Sequence, residues 1–556
     1  MTQTEQNPSK AEPVASRGGP IWGRISAPAA ILGGLFVAFL VAAAVLFRPW
    51  ATPGMGYDSA ASVLYFDRLA AHRTLEGFVG TTPKPAITIL YGLAFNLLHD
   101  WRLIALMSTV FFAAMLVTAA SLAWRTAGPL AAGLAAFGLL GSQLLLLDGA
   151  LAYSNPLAIL MWLVAGLALT SSSPRYGLAG LVLFLAALMR IETFIILAVA
   201  AAALGTWRFL PQGRLLGHSR PPARAMLLLL GVLALPLMVV HDLLLTGHGL
   251  FWLDVSAIYS KTYQATVLTP LQLNQFLVRY YSGAWPLALL AAAAVVDLVR
   301  RRRVVVLLGL LACGPGVIAF LELLAIKGTY VSNRYTIPAD AALVFAAALG
   351  AEALARAAAA YVVRRRSMPA PATRLMASQR GRDKLAVAGA AVAIGAMVAV
   401  AFVRPYGPLD HETWTAINKY RALQANYETI KPALTAAIAA LPDQPTWTST
   451  DVEQMHSPLP PRLYVPSMLL PRLTVDLNMP VWAIRDGSPV LGNASNLQVS
   501  VRSIVYIDAR QGADPVGDDE PLEVDRATRV GHVMVTPILV NAGAGLWLVQ
   551  LDPVAA

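Results

Sequence analysis

The sequence has little charge and almost no cysteine. Only 13% of its 556 residues are Asp, Glu, Lys or Arg, whereas 57% are hydrophobic. A soluble globular protein of this length carries about 25% charged residues, so the composition favours a membrane protein. Cys313 is the single cysteine, which excludes an intrachain disulfide and a cysteine metal cluster. The chain also lacks a visible internal repeat of the kind that many transporters contain.

What the sequence does contain is a series of apolar segments followed by a polar tail. Most of the segments are long enough to cross a hydrocarbon core of ~30 Å. We therefore predict a polytopic α-helical membrane protein with about 11 transmembrane helices and a C-terminal soluble α/β or mostly β domain. The predicted domains are a disordered cytoplasmic leader (1–27), a membrane bundle (28–404) and an extracytoplasmic soluble domain (405–556). The predicted helices span residues 28–47, 102–123, 128–147, 155–170, 176–189, 192–206, 225–241, 284–299, 304–326, 336–358 and 385–403.

The distribution of charge orients the chain. Residues 1–404 carry 32 basic and 15 acidic residues, whereas residues 405–556 carry 10 basic and 16 acidic. If the N-terminus is cytoplasmic, the inward loops hold 20 positive charges, as the positive-inside rule requires. The tail then lies outside, and we expect an integral protein of a bacterial plasma membrane. The rule accounts for the basic excess, so we expect no nucleic-acid partner.

The region 176–206 is the weak point of this orientation. Two short spans with Arg190 and Glu192 at an outer hairpin tip preserve it and keep both charges out of the mid-membrane. A single long helix would reverse every later segment. The Arg300–Arg303 and Arg364–Arg366 runs would then face outward.

The predicted orientation can be tested by cysteine labelling. Ser457→Cys lies in the tail and should react from outside the cell, whereas Ser367→Cys should react only from the cytoplasm. Labelling of Ser457→Cys from the cytoplasm alone would show that the orientation is wrong.

The first outward loop, Arg48–Pro85, contains an aspartate that suggests chemistry. Asp58 follows Gly54-Met-Gly-Tyr, where glycines permit a tight turn. A carboxylate at the outer lip of a helix bundle can act as general base on a hydroxyl group. The alternative is that Asp58 caps the amphipathic helix predicted over Ser59–His72.

Cations at the same depth can bind an anionic lipid phosphate. The candidates are Lys327, Arg334, Arg190 and Lys84. For Lys327 and Arg334 the alternative is anchoring at the membrane interface, and for Arg190 it is pairing with Glu192.

A secondary site, with less support, consists of Asp67, Glu192, His241 and Asp242. For Asp67 the favoured alternative is a position on a solvated helix face near Arg68. His241 and Asp242 alone make a poor metal site.

The sequence contains four short motifs: Gly56-Tyr-Asp-Ser-Ala-Ala-Ser-Val-Leu-Tyr65, Thr81-Thr-Pro-Lys-Pro-Ala-Ile-Thr-Ile-Leu-Tyr91, Leu188-Met-Arg-Ile-Glu192 and Asn333-Arg-Tyr-Thr-Ile-Pro338. Together they resemble motifs of the GT-C class of membrane glycosyltransferases. Their order and predicted side of the membrane match that class over about 400 residues. The chain departs from the many members that carry Asp-Glu, because Ser59 follows Asp58.

The resemblance implies sugar transfer from a polyprenyl-phosphate-linked donor in the membrane to a glycan or other hydroxyl acceptor outside the cytoplasm. Asp58 would be the catalytic base, and Arg334 with Lys327 would hold the phosphate. It leaves open whether a divalent cation takes part.

Two other functions compete with this one. A polytopic lipid or glycan transporter (flippase) needs charged or polar groups deep in the bundle. Gln143, Asp148, Asp297 and Glu322 are the residues that decide it, above all if Glu322 proves deep and paired. A scaffold that binds through its tail would tolerate Asp58→Asn, whereas an enzyme would not.

The tail begins with a helical pattern over 410–440, in which Trp414, Ile417, Tyr420, Leu423 and Tyr427 share one stripe. Short strand-like runs follow at 461–465, 473–477, 481–484, 497–507, 529–540 and 545–551.

Overall fold

The architecture comes from a computed structural model of the chain. It describes residues 27–51, 55–75, 79–209, 223–262, 268–328, 333–367, 395, 411–441, 462–486, 501–508, 526–530, 533–541 and 546–554. The predicted leader and most of the predicted helix 385–403 lie outside these residues.

The membrane part consists of helices with short connections. They are α1 (Ala27–Phe47), α2 (Tyr57–Ala70), α3 (Pro85–Leu98), α4 (Trp101–Thr126), α5 (Pro129–Leu140), α6 (Gln143–Ala150), α7 (Asn155–Leu169), α8 (Tyr176–Ala187), α9 (Thr193–Phe209), α10 (Ala234–Thr246), α11 (Phe251–Thr262), α12 (Pro270–Ser282), α13 (Trp285–Arg300), α14 (Val304–Leu311), α15 (Val317–Ile326) and α16 (Ile337–Ser367). A 3₁₀ segment, Ala223–Leu233, leads into α10, and a 3₁₀ turn, Asn333–Thr336, leads into α16.

Four helical stretches among the described residues are long and apolar enough to cross a membrane. They are Trp101–Thr126, Ala223–Thr246, Val304–Ile326 and Arg334–Tyr361. Two bent pairs, α5 with α6 and α12 with α13, raise the number to six if each is one span. Shorter apolar helices accompany them, so the chain is a helical integral membrane protein. The number eleven and the side of the membrane stay predictions.

Two predicted spans are interrupted for local reasons. The segment predicted at 128–147 bends by 62° between α5 and α6, where Gly141 and Ser142, both weak helix formers, follow each other. The segment predicted at 304–326 contains a π-helical turn, Ala312–Gly316, around Pro315. Proline cannot donate a backbone hydrogen bond and clashes with the preceding turn, so the helix widens there.

The region 176–206 forms two helices, as the hairpin prediction requires. α8 ends at Ala187 and α9 begins at Thr193. Arg190 and Glu192 lie between them and are both buried, 7% and 1% exposed. Arg190 Nε donates to Glu192 Oε2 at 3.0 Å, and a second contact joins its Nη2 to Oε1. The two charges therefore neutralise each other inside the protein.

α2, in the loop that was predicted to face outward, packs on α3, which follows that loop. α2 follows the predicted amphipathic pattern closely, and α3 contacts it along one face. α3 buries Ile87, Tyr91 and Phe95, but it leaves Ile89, Leu93 and Leu97 exposed. An exposed apolar face fits a helix at the membrane interface.

The C-terminal segment contains helices α17 (His411–Ala439) and α18 (Leu470–Asp476) and a six-stranded mixed sheet. The strands are β1 (Leu463–Val465), β2 (Ile484–Asp486), β3 (Ser503–Asp508), β4 (Thr528–Val530), β5 (Val533–Asn541) and β6 (Leu546–Pro553), in the order β2-β1-β3-β6-β5-β4. β1 pairs in parallel with β2 and β3, and the other pairs are antiparallel. The α/β prediction is thus confirmed.

Two strand predictions in the tail are wrong. Most of the run 481–484 is a 3₁₀ turn, Val481–Ala483, and β2 begins only at Ile484. The run 473–477 belongs to the end of α18, not to a strand. Pro471 occupies the first turn of this helix, where proline is preorganised for helical geometry, and Arg472 and Asp476 approach each other at 3.6 Å on one helix face. These local signals outweigh the β-branched and leucine residues that suggested a strand.

α17 packs against two separate hydrophobic cores. Ile417 belongs to the core of the membrane bundle. Tyr427, Ile430 and Leu434, further along the helix, belong to the core beneath the C-terminal sheet. α17 therefore joins the C-terminal segment to the bundle along its own length.

Candidate functional site

The candidate site is built around the first turn of α2. Gly56 occupies the N-cap position and no side chain caps this helix, so the alternative role of Asp58 as an N-cap residue is wrong. Gly56 has an ordinary φ of −75°, which any residue adopts. A Cβ atom there would lie 2.5 Å from the Tyr153 ring, so glycine is required by close packing and not by a tight turn.

Asp58 binds two cations through one carboxylate oxygen. Its Oδ2 lies 3.0 Å from Lys84 Nζ and 2.9 Å from Arg334 Nη2. Lys84 immediately precedes α3, and Arg334 lies in the 3₁₀ turn before α16. The three side chains are 16%, 11% and 27% exposed. Three distant parts of the sequence thus form one compact, largely buried charge cluster.

This environment keeps the Asp58 carboxylate ionised. Burial by itself raises the pKa of Asp58, but the charges of Lys84 and Arg334 and hydrogen bonds from Lys84 and Thr81 outweigh it. The net result is a pKa well below the usual range for aspartate. Burial also lowers the pKa of Lys84, against the opposing charge of Asp58.

Arg334 is oriented by an aromatic ring. Its guanidinium lies 4.0 Å from the centre of the Tyr153 ring, a cation–π contact that leaves the planar donors free to point at Asp58. Tyr153 itself is buried and packs against Gly56. Its ring therefore fixes both the backbone before Asp58 and the cation that binds Asp58.

A second buried carboxylate lies in the neighbourhood. Asp148, near the end of α6, is fully buried, and its Oδ2 accepts a hydrogen bond from Asn155 Nδ2 at 2.6 Å. Its charge acts on Arg334 and on Arg190. The cluster therefore combines three basic groups with three acidic ones, counting the Arg190–Glu192 pair.

Arg190 is close to the site but has its own partner. Its charge lowers the pKa of Lys84, and its guanidinium lies 5.8 Å from the centre of the Tyr335 ring. Its Nε and Nη2 atoms both contact the Glu192 carboxylate, however. Arg190 is thus near the cluster but is paired with Glu192, as the alternative prediction for this residue stated.

The remaining predicted residues lie elsewhere. Lys327 is exposed at the C-terminal cap of α15, and among the described residues its side chain makes no hydrogen bond or ion pair. Asp67 is partly buried and accepts a hydrogen bond from Asn96 at 2.9 Å, which differs from the fully solvated face expected; burial raises its pKa. Lys327 at a phosphate site stays a prediction.

His241 and Asp242 form a separate pair. His241 Nδ1 lies 3.2 Å from Asp242 Oδ1, and Asp242 Oδ2 accepts a hydrogen bond from the Trp252 backbone at 2.6 Å. Within the described ranges, no group of three or more His, Cys, Asp or Glu side chains forms a metal site. Participation of a divalent cation stays an open question.

Sequence reasoning missed three contributors to the site. Thr81 and Tyr153 are uncharged and stand in no recognisable pattern, although Thr81 opens the proline-containing segment that carries Lys84. Tyr420 was assigned to the core stripe of α17. Its hydroxyl instead lies where the charges of Arg334, Asp58 and Asp148 act on it. Helix periodicity gives a stripe but does not show which neighbour that stripe meets.

Comparison with known proteins gives matches to solved structures only. No family model matches the sequence, and no curated protein matches it. ArnT from Cupriavidus metallidurans bound to undecaprenyl phosphate is 12% identical, with 94% of this chain and 98% of that chain covered and a TM-score of 0.45. Its apo state gives 13% identity, the same coverage and a TM-score of 0.47.

The archaeal oligosaccharyltransferase AglB from Archaeoglobus fulgidus, in complex with an inhibitory peptide and a dolichol-phosphate, is also similar. It is 13% identical, with 86% of this chain and 70% of that chain covered and a TM-score of 0.40. All three TM-scores lie below 0.5.

Proposed function

We propose that this protein is a membrane glycosyltransferase of the GT-C type. It moves a sugar from a polyprenyl-phosphate lipid to an acceptor hydroxyl on the extracytoplasmic side of the membrane. The observation that carries the proposal is the contact of one ionised carboxylate, Asp58, with two cations, Lys84 and Arg334, beside a bundle of apolar helices. This arrangement provides a base and a phosphate-binding pair at one point.

The cluster supports a direct displacement. Asp58 accepts the proton of the acceptor hydroxyl while the acceptor oxygen attacks the anomeric carbon of the sugar. The bond between that carbon and the phosphate oxygen breaks, and its electron pair leaves with the polyprenyl phosphate. Lys84 and Arg334 stabilise the negative charge that develops on the leaving phosphate. The proton ends on Asp58 and the sugar on the acceptor.

In this mechanism, binding of the donor activates the base, because the donor phosphate competes with Asp58 for its two cations. With both cations bound, the pKa of Asp58 is far below neutral, which keeps the carboxylate ionised but makes it a weak base. A donor phosphate competes for Lys84 and Arg334 and withdraws part of their charge from Asp58. The pKa of Asp58 then rises toward the range in which a carboxylate accepts a proton efficiently.

The donor class follows from the position of the site. A phosphate that binds Lys84 and Arg334 beside apolar helices can keep a long hydrocarbon chain in the bilayer. Undecaprenyl phosphate and dolichol-phosphate, present in the ArnT and AglB structures, are lipids with this chemistry. The sugar and the acceptor are to be found by assay.

The proposal is tested with the full chain purified into lipid nanodiscs. Undecaprenyl phosphate should raise the melting temperature of the wild-type protein. A panel of undecaprenyl-phosphate sugars should then be screened with cell-envelope glycan acceptors, and radiolabelled sugar should appear in the acceptor. If the protein bound neither undecaprenyl phosphate nor any tested donor, the proposal would be wrong.

Glu322, whose burial and pairing were to favour transport above all, gives transport no support. Glu322 is partly exposed, and its side chain makes no hydrogen bond or ion pair within the described part of the chain. Asp297 pairs with Arg301 at 3.0 Å and Arg356 at 3.1 Å. Asp148 is deep and paired with Asn155, but its charge faces the Asp58 cluster.

The pH dependence of transfer should reveal the role of Lys84. In the wild type, the depressed pKa of Asp58 keeps the base ionised, so kcat/KM should stay flat as the pH falls from 8 toward 5. Lys84→Gln removes one of the two cations while burial still disfavours the charged carboxylate. The pKa of Asp58 then rises, and the acid limb of kcat/KM should move to higher pH.

The measurement is kcat/KM for transfer at several pH values, which reports the ionisation of the free enzyme. Lys84→Arg, which keeps the charge, is the matched control and should keep the acid limb near that of the wild type. An unshifted limb in Lys84→Gln would contradict the assigned electrostatic role.

A further inference from the structure

α17 holds both ends of the connection between α1 and α2. Arg421 Nη2 donates hydrogen bonds to the backbone oxygens of Leu46 and Phe47, at 2.8 and 2.7 Å. These carbonyls end α1 and have no partner within that helix. One turn nearer the C-terminus of α17, Gln424 Nε2 donates to the Met55 backbone oxygen at 3.3 Å. The C-terminal segment thus contacts the chain just before Asp58.

Gln424 is itself fixed from the other side. It is fully buried, and its Oε1 accepts a hydrogen bond from Arg472 Nη1. Arg472, on α18, is also buried; it contacts Glu428, and its guanidinium lies 5.6 Å from the Trp101 ring. A continuous hydrogen-bonded path therefore runs from α18 through Gln424 to the backbone of Met55.

The bundle also holds this turn, through hydrogen bonds from Gly56 and Ser59. The Gly56 backbone N–H donates to the Leu151 oxygen at 2.9 Å. Ser59 Oγ donates to the Leu151 and Ala152 oxygens at 3.0 and 2.8 Å. Asp58 lies between Gly56 and Ser59. Its backbone is therefore held both by the bundle and by Gln424, which acts through Met55.

The same face of α17 extends to the site. Tyr420, one helical turn before Gln424, lies where the charges of Arg334 and Asp58 act on its hydroxyl, and this hydroxyl is 3.8 Å from Met468 Sδ. Asn426, in contrast, faces the C-terminal sheet, where its Nδ2 lies 2.7 Å from Asp508 Oδ2. The amide side chains of Gln424 and Asn426 thus form hydrogen bonds on opposite sides of α17.

We propose that Gln424 is a positioning residue for Asp58, and that the C-terminal segment is thereby part of the catalytic machinery instead of a separate binding module. Gln424 transmits the fixed position of Arg472 to the turn that carries Asp58. The catalytic meaning of this role rests on the proposed glycosyltransferase function, whereas the mechanical coupling does not. A displacement of about 1 Å at a reacting group costs up to 100-fold in rate. The hydrogen bonds that hold the turn before Asp58 should therefore affect the rate of proton transfer to Asp58.

The mechanical coupling is tested by hydrogen–deuterium exchange on the full chain in nanodiscs. Gln424→Ala should speed exchange at least several-fold in the peptide covering residues 55–64. The matched control, Asn426→Ala, deletes an amide of the same helix that binds Asp508, and it should leave that peptide unchanged. Should Gln424→Ala fail to fold, Gln424→Met fills the same volume without the N–H donor. Unchanged exchange at 55–64 in the Gln424 variant would overturn the proposal.

Kinetics provide the second readout. We expect Gln424→Ala to lower kcat by roughly 10- to 100-fold with the KM for the lipid donor within about twofold of the wild type, and Asn426→Ala to keep the wild-type kcat. Faster exchange with wild-type kcat would overturn the positioning role. If the wild type transfers no sugar at all, the proposed function fails, and the exchange experiment still decides whether Gln424 holds the Asp58 turn.

Discussion

Replacement of Asp58 by asparagine should lower sugar transfer by about 10²–10⁴-fold, the usual contribution of a positioned general base. Asparagine has nearly the same shape but cannot accept the acceptor proton. The start of α2 should survive, because Gly56 and not Asp58 is its N-cap. The measurement is the initial rate of transfer by the purified variant, after its folding has been checked by melting temperature.

The affinity for the lipid donor shows whether Asp58→Asn has lost only the catalytic base or the donor-binding site as well. Asp58→Asn removes the anion that competes for Lys84 and Arg334, so undecaprenyl phosphate should bind at least as tightly as to the wild type. Asp254→Asn, which neutralises an exposed aspartate of α11, is the matched control and should transfer normally. Transfer by Asp58→Asn at a rate near wild type would show that Asp58 is not the base.

Replacement of Arg334 should have the second largest effect. Under the proposed mechanism, Arg334→Ala removes a donor to the leaving phosphate. It also leaves Lys84 as the one cation in contact with Asp58 among the described residues, so we expect a loss of about 10²–10³-fold in kcat/KM. Arg334→Lys should lose less, because the point charge remains. It should still fall short of the wild type, since lysine cannot form a bidentate contact or stack on Tyr153 as a planar group.

The test follows the rate as a function of the concentration of the polyprenyl-phosphate donor. Arg356→Ala is the matched control: it also removes an arginine, but one that pairs with Asp297, and its dependence on donor should match the wild type. If Arg334→Ala and Arg334→Lys both kept the wild-type dependence on donor, Arg334 would have no role at the phosphate.

Asp58, Lys84 and Arg334 were all proposed from the sequence. Each stands at the end of an apolar or amphipathic segment, and a charge at such an end lies near the membrane surface whatever the packing. Lys327 satisfied the same criterion yet lies exposed at the end of α15, outside the contacts of the cluster. Position along a helix gives the depth of a side chain but not its direction or its neighbours.

Arg190 also shows that sequence position does not specify the neighbours of a charged side chain. It was predicted at the phosphate site, but a single residue, Ile191, separates it from Glu192, and this spacing allows an ion pair that occupies its guanidinium. Burial of one charge makes a partner necessary. The sequence offered both Glu192 and a ligand phosphate as partners, and the local backbone geometry chose Glu192 in the resting protein.

The sequence by itself determined the membrane character, the order of most helices and the mixed composition of the tail, because hydrophobic length and periodicity are local properties. Tertiary structure alone decided that Asp58 meets Lys84 and Arg334, the latter 276 residues away, and that Gln424 of the tail holds the turn before Asp58. Such contacts depend on how helices pack and which polar groups must be satisfied once buried. No pattern within one segment specifies a partner hundreds of residues distant.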